Sequence, residues 1–460
     1  MGDVYDVAVV GGGTAGYSAA LRAAQLGLRV ALVERDDRIG GTCLLRGCIP
    51  TKALLQSAAV MDAVDRSDEW GIKASGEPDW SAVKAFEDGV VDKLVNGVTG
   101  LVKARKIDVV HGPARLVPGS AALDVDGARV DAREIVIATG SAPTMLPGVE
   151  LTDRIITSDQ ALRYDRIPES VVVIGAGAVG LEFASIYRSF GADVTVVEAL
   201  PRVAPLEDEE VSKEISRAFR KRGITTMAGA SVQRVADTGD AVEVTYDAGK
   251  GDVDVVADVC LVAVGRGPVT EGLGLAEAGV ATHEKGYVVV DAELRTNVDH
   301  VWAIGDVAST PLQLAHAAFT EGYAAAERIA GLDVPTIDYP NIPKVTYCTP
   351  EIASVGLTEA QARETGLDVV VDKVDFRAIG KANMLGEGGF TKLVAEADGP
   401  VRGVHMIGPH VTDLIAEGML IVNWEALPVE VAAMMHPHPT LSEGIGEAHL
   451  ALAGKPLHTP

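Results

Sequence analysis

Two cysteines near the start of the chain, Cys43 and Cys48, are separated by only four residues in the segment GGTCLLRGCIPTK. On an ideal α-helix, Cα atoms five positions apart lie about 8.6 Å apart, whereas a disulfide needs less than about 7 Å. We therefore expect a distorted backbone, permitted by Gly47 and Pro50, and a strained bond that is easily reduced. No further Cys or His follows at zinc-ligand spacing, so no metal site is predicted; two unrelated buried thiols are the alternative.

A second candidate group lies near the end of the chain, where His436, His438 and Glu443 occur within eight positions. A dithiol must lose a proton before it attacks a disulfide, and an imidazole held by a carboxylate accepts such a proton near neutral pH. Glu443 is predicted to begin a helix just after the turn that follows His438, and to orient its ring. The alternative interpretation is surface histidines in a proline-rich turn.

An internal repeat in the sequence predicts dinucleotide binding. Segments 7–34 and 171–198 align without gaps at an offset of 164 residues, and each predicts a buried strand, a glycine turn, a helix and a second strand ending in glutamate. Glu34 and Glu198 are expected to accept hydrogen bonds from adenosine ribose hydroxyls. The glycines that serve the turn, the pyrophosphate and helix–strand packing are, in that order, Gly11, Gly13 and Gly16 in the first copy and Gly175, Gly177 and Gly180 in the second. The chain is therefore expected to bind two dinucleotides.

The composition excludes several classes of partner. The 460 residues carry a net charge of −25, which repels nucleic acids and anionic membranes. The acidity serves solubility or, alternatively, docking of a basic partner module. The N-terminus lacks the basic region of a signal peptide, and no apolar run reaches the ~18 residues of a membrane span. Four cysteines do not make a disulfide scaffold, and Cys260 and Cys348 are predicted to be packing residues, so we expect a cytoplasmic enzyme.

The elements that must position these groups are grouped in blocks. Gly/Pro-rich joins at residues 140–148 and 265–268 follow the first βαβ block and the second. An amphipathic helix is predicted between Trp80 and Lys103. From Tyr339 onward, the pattern changes to mixed strands and helices without dinucleotide signals, which indicates a separate α+β domain.

Over essentially its whole length the chain resembles the class I pyridine nucleotide–disulfide oxidoreductases. The markers are Gly11–Gly16 with Glu34, Cys43–Lys52, Ala138–Gly140, Gly175–Gly180 with Glu198, Ala303–Asp306, Leu314–His316 and His438–Glu443. The resemblance implies a homodimer whose subunits contain an FAD-binding domain (1–149), an NAD-binding domain (150–267), a central domain that completes the FAD site (268–338) and an interface domain (339–460). The predicted fold class is α/β, with two Rossmann-like dinucleotide-binding domains and a C-terminal α+β dimerisation domain.

The resemblance also implies roles for individual residues. Cys43 would exchange with the dithiol substrate, and Cys48 would lie against the flavin as the charge-transfer thiolate. His438 of the other subunit would be the general base, oriented by Glu443, and Lys52 would pair with Glu182 near the flavin N5. The implied FAD contacts are Gly11, Gly13, Gly16, Glu34, Gly41, Thr42, Lys52, Ala114, Thr139, Gly140, Asp306 and Ala315. The implied NAD contacts are Gly175, Gly177, Gly180, Glu198 and Gly265.

The substrate prediction rests on a few residues. Glu198 would repel the 2′-phosphate of NADP, so NAD is favoured. The segment 439–443, Pro-Thr-Leu-Ser-Glu, matches family members that oxidise dihydrolipoamide, and the C-terminus lacks the vicinal cysteines of mercuric reductase-like members. A lipoyl-bearing acyltransferase core subunit of a 2-oxo-acid dehydrogenase complex is then the implied partner, and the glycine cleavage complex is a further setting. Leu45 and Arg46 replace a frequent Asn-Val, and Pro437 replaces a frequent Ala, without removing a chemical group.

Three alternatives stay open. One is an NAD(P)H-dependent reductase of a low-molecular-weight disulfide, similar to glutathione or mycothione reductase. Another is a flavoprotein without thiol catalysis, such as a transhydrogenase or an NADH oxidase, which the pair of cysteines disfavours. The third is a non-catalytic binding subunit, which His438 and Glu443 disfavour.

Overall fold

A computed structural model describes residues 4–249 and 251–458. The helices of this part of the chain are α1 (Thr14–Gln25), α2 (Gly41–Arg46), α3 (Cys48–Asp65), α4 (Trp80–Ala104), α5 (Ser158–Ala161), α6 (Ala178–Ser189), α7 (Glu209–Lys221), α8 (Ala315–Ile329), α9 (Glu359–Glu364), α10 (Gly380–Leu385), α11 (Val411–Asn423), α12 (Pro428–Ala432) and α13 (Glu443–Leu452). Short 3₁₀ helices lie at Ser67–Trp70, Gly305–Val307, Tyr339–Asn341 and Phe376–Ala378. Among the described residues, no helix is both long and apolar enough to cross a membrane.

The strands, in chain order, are β1 (Tyr5–Val10), β2 (Val30–Glu34), β3 (Asp108–His111), β4 (Ala114–Leu116), β5 (Ala122–Val125), β6 (Ala128–Ile137), β7 (Ser141–Pro143), β8 (Ile155–Ile156), β9 (Ser170–Ile174), β10 (Asp193–Glu198), β11 (Thr225–Ala228), β12 (Ser231–Asp237), β13 (Val242–Asp247), β14 (Asp252–Ala257), β15 (Val259–Val262), β16 (Arg266–Pro268), β17 (Val301–Ala303), β18 (Lys344–Thr346), β19 (Glu351–Gly356), β20 (Val369–Asp375), β21 (Phe390–Glu396) and β22 (Val401–Gly408).

The chain forms two compact units. Unit 1 comprises Met1–Ala53, Ser81–Thr144 and Gly265–Tyr339. Its main sheet has the order β3-β2-β1-β6-β5-β4, with β17 also on β6, and β1, β2, β3, β6 and β17 pair in parallel. Val7 and Val9 of β1 pack into one apolar cluster, whereas Ala8 and Val10 pack into another. The strand is therefore buried on both faces, as a parallel sheet covered on both sides requires.

Unit 2 comprises Leu54–Trp80, Met145–Val264 and Pro340–Pro460. A sheet of order β11-β10-β9-β15-β8 pairs in parallel, and the antiparallel sheet β12-β13-β14 accompanies it. After Pro340, the antiparallel sheet β18-β19-β22-β21-β20 packs with α11 and α13 around an apolar cluster that contains Phe376, Leu393 and Val404. The part of the chain after Pro340 therefore has the mixed α+β structure that the sequence predicts.

The internal repeat is reproduced residue by residue in the strand register. Val7 of β1 is paired with Val30 of β2, and Val171 of β9 is paired with Val194 of β10, at the same offset of 164 positions. The helices α1 and α6 also begin 164 positions apart, at Thr14 and Ala178. Each copy therefore forms the predicted βαβ unit.

Candidate active site

Cys43 and Cys48 lie on two successive helices rather than on one. Cys43 belongs to α2 and Cys48 begins α3, and Gly47 breaks the helix between them with φ −151° and ψ −107°. A Cβ atom at this glycine would lie 2.9 Å from the carbonyl oxygen of Thr42, so the break requires glycine. Pro50 occupies the first turn of α3, where no intrahelical N–H is needed, so the interrupted helix accommodates it; its contribution to the distortion stays a prediction.

The break brings the two thiols into hydrogen-bonding contact. The hydrogen bond with Cys48 and burial both raise the pKa of the Cys43 thiol, whereas Thr14 and the positive charge of Lys52 act in the opposite direction. Burial raises the pKa of Tyr17 too, and the neighbouring Cys43 adds to that effect. Thr14 and Tyr17 were not predicted as site residues, although Thr14 lies inside the first glycine motif. The structure thus brings the thiol pair, Lys52 and the start of α1 together in unit 1.

The first glycine motif forms a cradle that fits a dinucleotide. Gly11 has φ +104°, and a Cβ on Gly16 would lie 1.8 Å from the Gly11 carbonyl oxygen, so the turn and helix are in direct backbone contact. Gly13 caps α1, whose first turn contains no acidic residue, and a Cβ on Gly41 would lie 2.5 Å from Gly13 Cα. The positive end of α1 is therefore suited to a pyrophosphate that approaches bare backbone.

The second motif repeats this cradle in unit 2. Gly175 also has φ +104°, and a Cβ on Gly180 would lie 2.0 Å from the Gly175 carbonyl oxygen. A Cβ on Gly177, the N-cap of α6, would meet no described atom within 4 Å. Gly265, predicted to contact the same nucleotide, belongs to unit 1, where it has φ +130°. Its assignment to NAD stays a prediction.

The acids that end the two βαβ units are held in the same way. Glu34 Oε2 accepts a hydrogen bond from Gly12 N at 2.6 Å, and Oε1 accepts one from Asp36 N at 2.8 Å. In the second copy, Glu198 accepts from Ala176 N at 2.6 Å and from Leu200 N at 2.8 Å. Both carboxylates are buried, and each oxygen keeps acceptor capacity for a ribose hydroxyl.

A hydrogen-bond network links Asp306 to the residue that precedes Cys43. Ser141 Oγ donates to Asp306 Oδ2 at 2.6 Å, and Arg266 donates to Ser141 Oγ at 2.8 Å and to Thr42 Oγ1 at 3.2 Å. The sequence motifs do not identify Ser141 and Arg266 as site residues, although Ser141 directly follows the Ala138–Gly140 marker. The remaining predicted FAD contacts, all in unit 1, are Ala114 on β4, Thr139, whose hydroxyl donates to Val269 O at 2.6 Å, Gly140 at φ +71°, and Ala315 at the start of α8.

Arg46, one of the departures from the family pattern, forms an ion pair. Its guanidinium contacts the carboxylate of Asp36, whose backbone N–H is the one that Glu34 Oε1 accepts. The helix that carries Cys43 is therefore tied to the loop after β2. The two residues are ten positions apart, and the sequence pattern does not reveal their contact.

Glu182 lies in unit 2 on α6. Its side chain is buried, and Oε1 accepts a hydrogen bond from Tyr347 N at 3.0 Å. Lys52 belongs to unit 1 and lies in the first turns of α3. The pairing of Lys52 with Glu182 stays a prediction.

His438 and Glu443 are in direct contact in unit 2. The Nδ1 atom of His438 lies 2.8 Å from Glu443 Oε1, and Thr440 N donates to Oε2 at 2.8 Å. Burial opposes the charged form of Glu443, but the hydrogen bonds from Thr440 and His438 outweigh it and lower the pKa of the carboxyl. The His438 side chain is 77% exposed, so its Nε2 edge is accessible to a substrate.

Comparison with protein families gives two matches. Residues 5–322 match the model described as "Pyridine nucleotide-disulphide oxidoreductase", and residues 342–449 match the model described as the dimerisation domain of the same family. Together these matches cover most of the chain. The second match supports a homodimer.

Curated relatives match the chain over its whole length. A dihydrolipoyl dehydrogenase of Bacillus subtilis is 44% identical over 100% of both chains. Another, of Thermus scotoductus, is 42% identical over 99% of this chain and 98% of the relative. A third, of Mycobacterium tuberculosis, is 41% identical over 98% of both.

Solved structures of similar proteins have the same fold. LpdA from Mycobacterium tuberculosis superposes with a TM-score of 0.90 at 28% identity, covering 98% of this chain and all of that one. The HOCl-induced flavoprotein disulfide reductase RclA from Escherichia coli gives a TM-score of 0.87 at 28% identity, covering 97% of this chain and 99% of that chain. The predicted fold class is confirmed.

Proposed function

The chain belongs to the pyridine nucleotide-disulphide oxidoreductase family, and we propose that within this family it is a dihydrolipoyl dehydrogenase. Family membership makes it an FAD-dependent oxidoreductase with NAD as the second cofactor, in agreement with the cofactor prediction. The proposed net reaction is the oxidation of dihydrolipoamide to lipoamide with reduction of NAD⁺ to NADH and release of one proton.

The observation that carries the proposal is the contact between the Cys43 and Cys48 thiols across the Gly47 break. The same unit contains the first glycine cradle, so the thiol pair and the proposed FAD site share one compact body. The full-length relatives named dihydrolipoyl dehydrogenase support the choice of dithiol.

The first chemical step is assigned to His438. Its Nε2 removes a proton from one thiol of dihydrolipoamide, while the contact with Glu443 keeps a proton on Nδ1 and stabilises the imidazolium that forms. The resulting thiolate attacks Cys43 Sγ, and the electron pair of the broken Cys43–Cys48 bond moves to Cys48. The second substrate thiol then closes the lipoamide disulfide and releases Cys43 as a thiol.

The remaining residues bind and orient the cofactors. When bound, FAD supplies the two-electron transfer between the dithiol pair and NAD⁺. Gly11, Gly13, Gly16 and Gly41 would receive its pyrophosphate, and Glu34 its ribose. Lys52, paired with Glu182, would adjust charge near the flavin N5. The other proposed FAD contacts are Thr42, Ala114, Thr139, Gly140, Asp306 and Ala315.

The second glycine motif is assigned to NAD. Gly175, Gly177 and Gly180 would hold the pyrophosphate at the N-terminus of α6. Gly265, which follows the end of β15 in the sequence, is a further proposed NAD contact. Glu198 would accept from the adenosine ribose and repel a 2′-phosphate. The side chain is already fixed by two backbone N–H groups, so it needs no reorganisation on binding.

The proposed domain limits are 1–149 for FAD binding, 150–267 for NAD binding, 268–338 for the central domain and 339–460 for the interface domain. In the proposed homodimer, His438 of one subunit serves the cysteine pair of the other. The proposed setting is the cytoplasm, with a lipoyl-bearing acyltransferase core subunit of a 2-oxo-acid dehydrogenase complex as partner.

The test is an anaerobic titration of the FAD-loaded enzyme. Dihydrolipoamide should produce a long-wavelength thiolate–flavin absorbance, and NAD⁺ added next should yield NADH. Cys43→Ser and Cys48→Ser should each abolish this turnover. An absorbance band with mycothiol but not with dihydrolipoamide would favour a low-molecular-weight disulfide reductase. No band with any dithiol, or full turnover by either serine variant, would overturn thiol catalysis.

A further inference from the structure

His436, the first histidine of the C-terminal pair, has no role in the reaction described above. Its Nε2 atom lies 2.7 Å from Oε1 of Glu417, which is on α11. The His436 side chain is only 13% exposed, in contrast with 77% for His438 two residues later. The chain thus covers most of one histidine of the pair and holds it on a carboxylate, whereas it presents the other to solvent.

The opposite side of the His436 ring packs against the backbone of α13. A Cβ atom on Gly446 would lie 2.6 Å from His436 Nδ1, so any other residue at this position would displace the ring. Gly446 is one helical turn after Glu443, the residue that holds His438. One helix therefore contacts both histidines of the segment.

The charges around His436 favour its protonated form. The hydrogen bond to Glu417 raises its pKa, burial opposes this, and the charge of Glu443 adds to the rise. His449 on α13 also faces this group, but burial lowers its pKa to about 4, so it is neutral near pH 7. The charged groups around His436 are then Glu417 and Glu443, and the ring lies between α11 and α13.

We propose that His436 is a positioning residue for the general base: with Glu417 and Gly446, it anchors the segment that carries His438. This inference rests on the proposed function. The segment lies between the end of α12 at Ala432 and the start of α13 at Glu443, without regular structure. An exposed imidazole keeps a productive orientation only if the backbone that carries it is held, and misplacement by about 1 Å costs on the order of 100-fold in rate.

Two variants of His436 separate the loss of its hydrogen bond to Glu417 from the loss of its positive charge. His436→Phe fills the space without a hydrogen bond and should lower kcat for dihydrolipoamide oxidation at least about tenfold at every pH. His436→Gln keeps a donor at the Nε2 position but is neutral. Because the folded-state pKa of His436 is raised, the ion pair contributes fully below about pH 6.5 and is lost as the pH rises through that raised pKa. The wild-type to Gln ratio of kcat should therefore be largest at the acidic end and fall toward one.

The contacts of His436 can also be disrupted by substitutions at its two partners, Glu417 and Gly446. Glu417→Ala and Gly446→Ala should reproduce the defect of His436→Phe, and Gly446→Ala does so without changing any charge. Asp413→Ala is the matched control, because it removes a carboxylate from an exposed position on the same helix as Glu417. This control should retain wild-type kcat.

The experiment compares two activities of each FAD-loaded variant over pH 5.5–9. Dihydrolipoamide-to-NAD⁺ turnover needs the base, whereas NADH-to-ferricyanide turnover does not and should stay within about twofold of wild type. A fall in both activities would indicate structural damage and overturn the positioning role. Unchanged dithiol turnover in His436→Phe and Gly446→Ala, with wild type active, would overturn this inference alone. Inactivity of wild type with dihydrolipoamide would instead overturn the proposed function.

Discussion

Nδ1 of His438 lies 2.8 Å from Oε1 of Glu443, and the second carboxylate oxygen accepts the backbone N–H of Thr440. The carboxylate therefore holds the ring and the turn that carries it at the same time. Glu443 is also the first residue of α13, where a negative charge is favoured by the helix.

Glu443→Gln should lower kcat for dihydrolipoamide oxidation by about 100-fold or more, because the amide stabilises neither the imidazolium nor its orientation. Burial opposes ionisation of Glu443, but the hydrogen bonds from Thr440 and His438 lower its pKa. The orienting charge is therefore present above the pH range in which carboxyl groups usually titrate, and it is lost as the pH falls through the lowered pKa. The pH profile of kcat measures both effects. Equal loss in the NADH-to-ferricyanide reaction would contradict a role confined to the dithiol step.

Gly47→Ala should destabilise the protein by about 1–3 kcal/mol, because the added Cβ would lie 2.9 Å from Thr42 O. It should also slow formation of the Cys43–Cys48 bond. Gly97→Ala is the control: this glycine lies within α4, a Cβ there meets no described atom within 4 Å, and the substitution should stabilise by about 0.5–1 kcal/mol. Thermal unfolding midpoints measure the change in stability, and the rate of thiol loss on oxidation measures formation of the bond. Equal midpoints for Gly47→Ala and wild type would refute the clash.

The internal repeat supplies a crossed test of the cofactor assignments. Glu198→Ala should raise the KM for NAD⁺ about tenfold or more and leave FAD content unchanged, since it removes the proposed ribose acceptor and leaves Ala176 N and Leu200 N unpaired. Glu34→Ala should reduce FAD retention instead. If both variants alter the same cofactor, the assignment of the two motifs is wrong. A wild-type preference for NADP over NAD in kcat/KM would contradict the role of Glu198.

Lys392 should be a main electrostatic support of unit 2. Its side chain is 2% exposed and lies 2.9 Å from Asp208 and 2.8 Å from Glu359. Lys392→Met leaves buried Asp208 without its cation, which should cost about 3–5 kcal/mol. Lys213→Met removes a 70% exposed lysine that pairs with Glu209 and should change stability by less than about 0.5 kcal/mol.

The same cluster gives a pH dependence that denaturant unfolding can measure. Burial opposes ionisation of Asp208, but Lys392 and the other partners lower its pKa, and the hydrogen bond with Lys392 lowers that of Glu359. Both carboxylates therefore contribute stability above their unfolded pKa values near 4, and the contribution is lost as the pH falls through the lowered values. Lys392→Met should weaken this loss of stability at acidic pH. An unchanged pH dependence would contradict the role of Lys392 in lowering the two pKa values.

The sequence predicted the parts of the structure that depend on local backbone chemistry. The glycine turns and Glu34 with its repeat partner Glu198 were found because each spacing corresponds to one backbone conformation, and the structure reproduces the repeat in its hydrogen bonds. Side-chain contacts between different elements were not predicted. Arg266 is 125 residues from Ser141 and Arg46 is ten residues from Asp36 across a loop, and neither spacing has a periodic signature.

The break at Gly47 makes the two sulfurs unequal. Cys48 begins an 18-residue helix, whereas Cys43 lies inside a helix of six residues. Because the positive end of a long helix favours negative charge at its first residue, we expect sulfur 48 to be the better leaving group, which agrees with the proposed attack of the substrate on Cys43. A single glycine would thus give the proposed Cys43–Cys48 disulfide a direction of attack before any substrate or cofactor takes part.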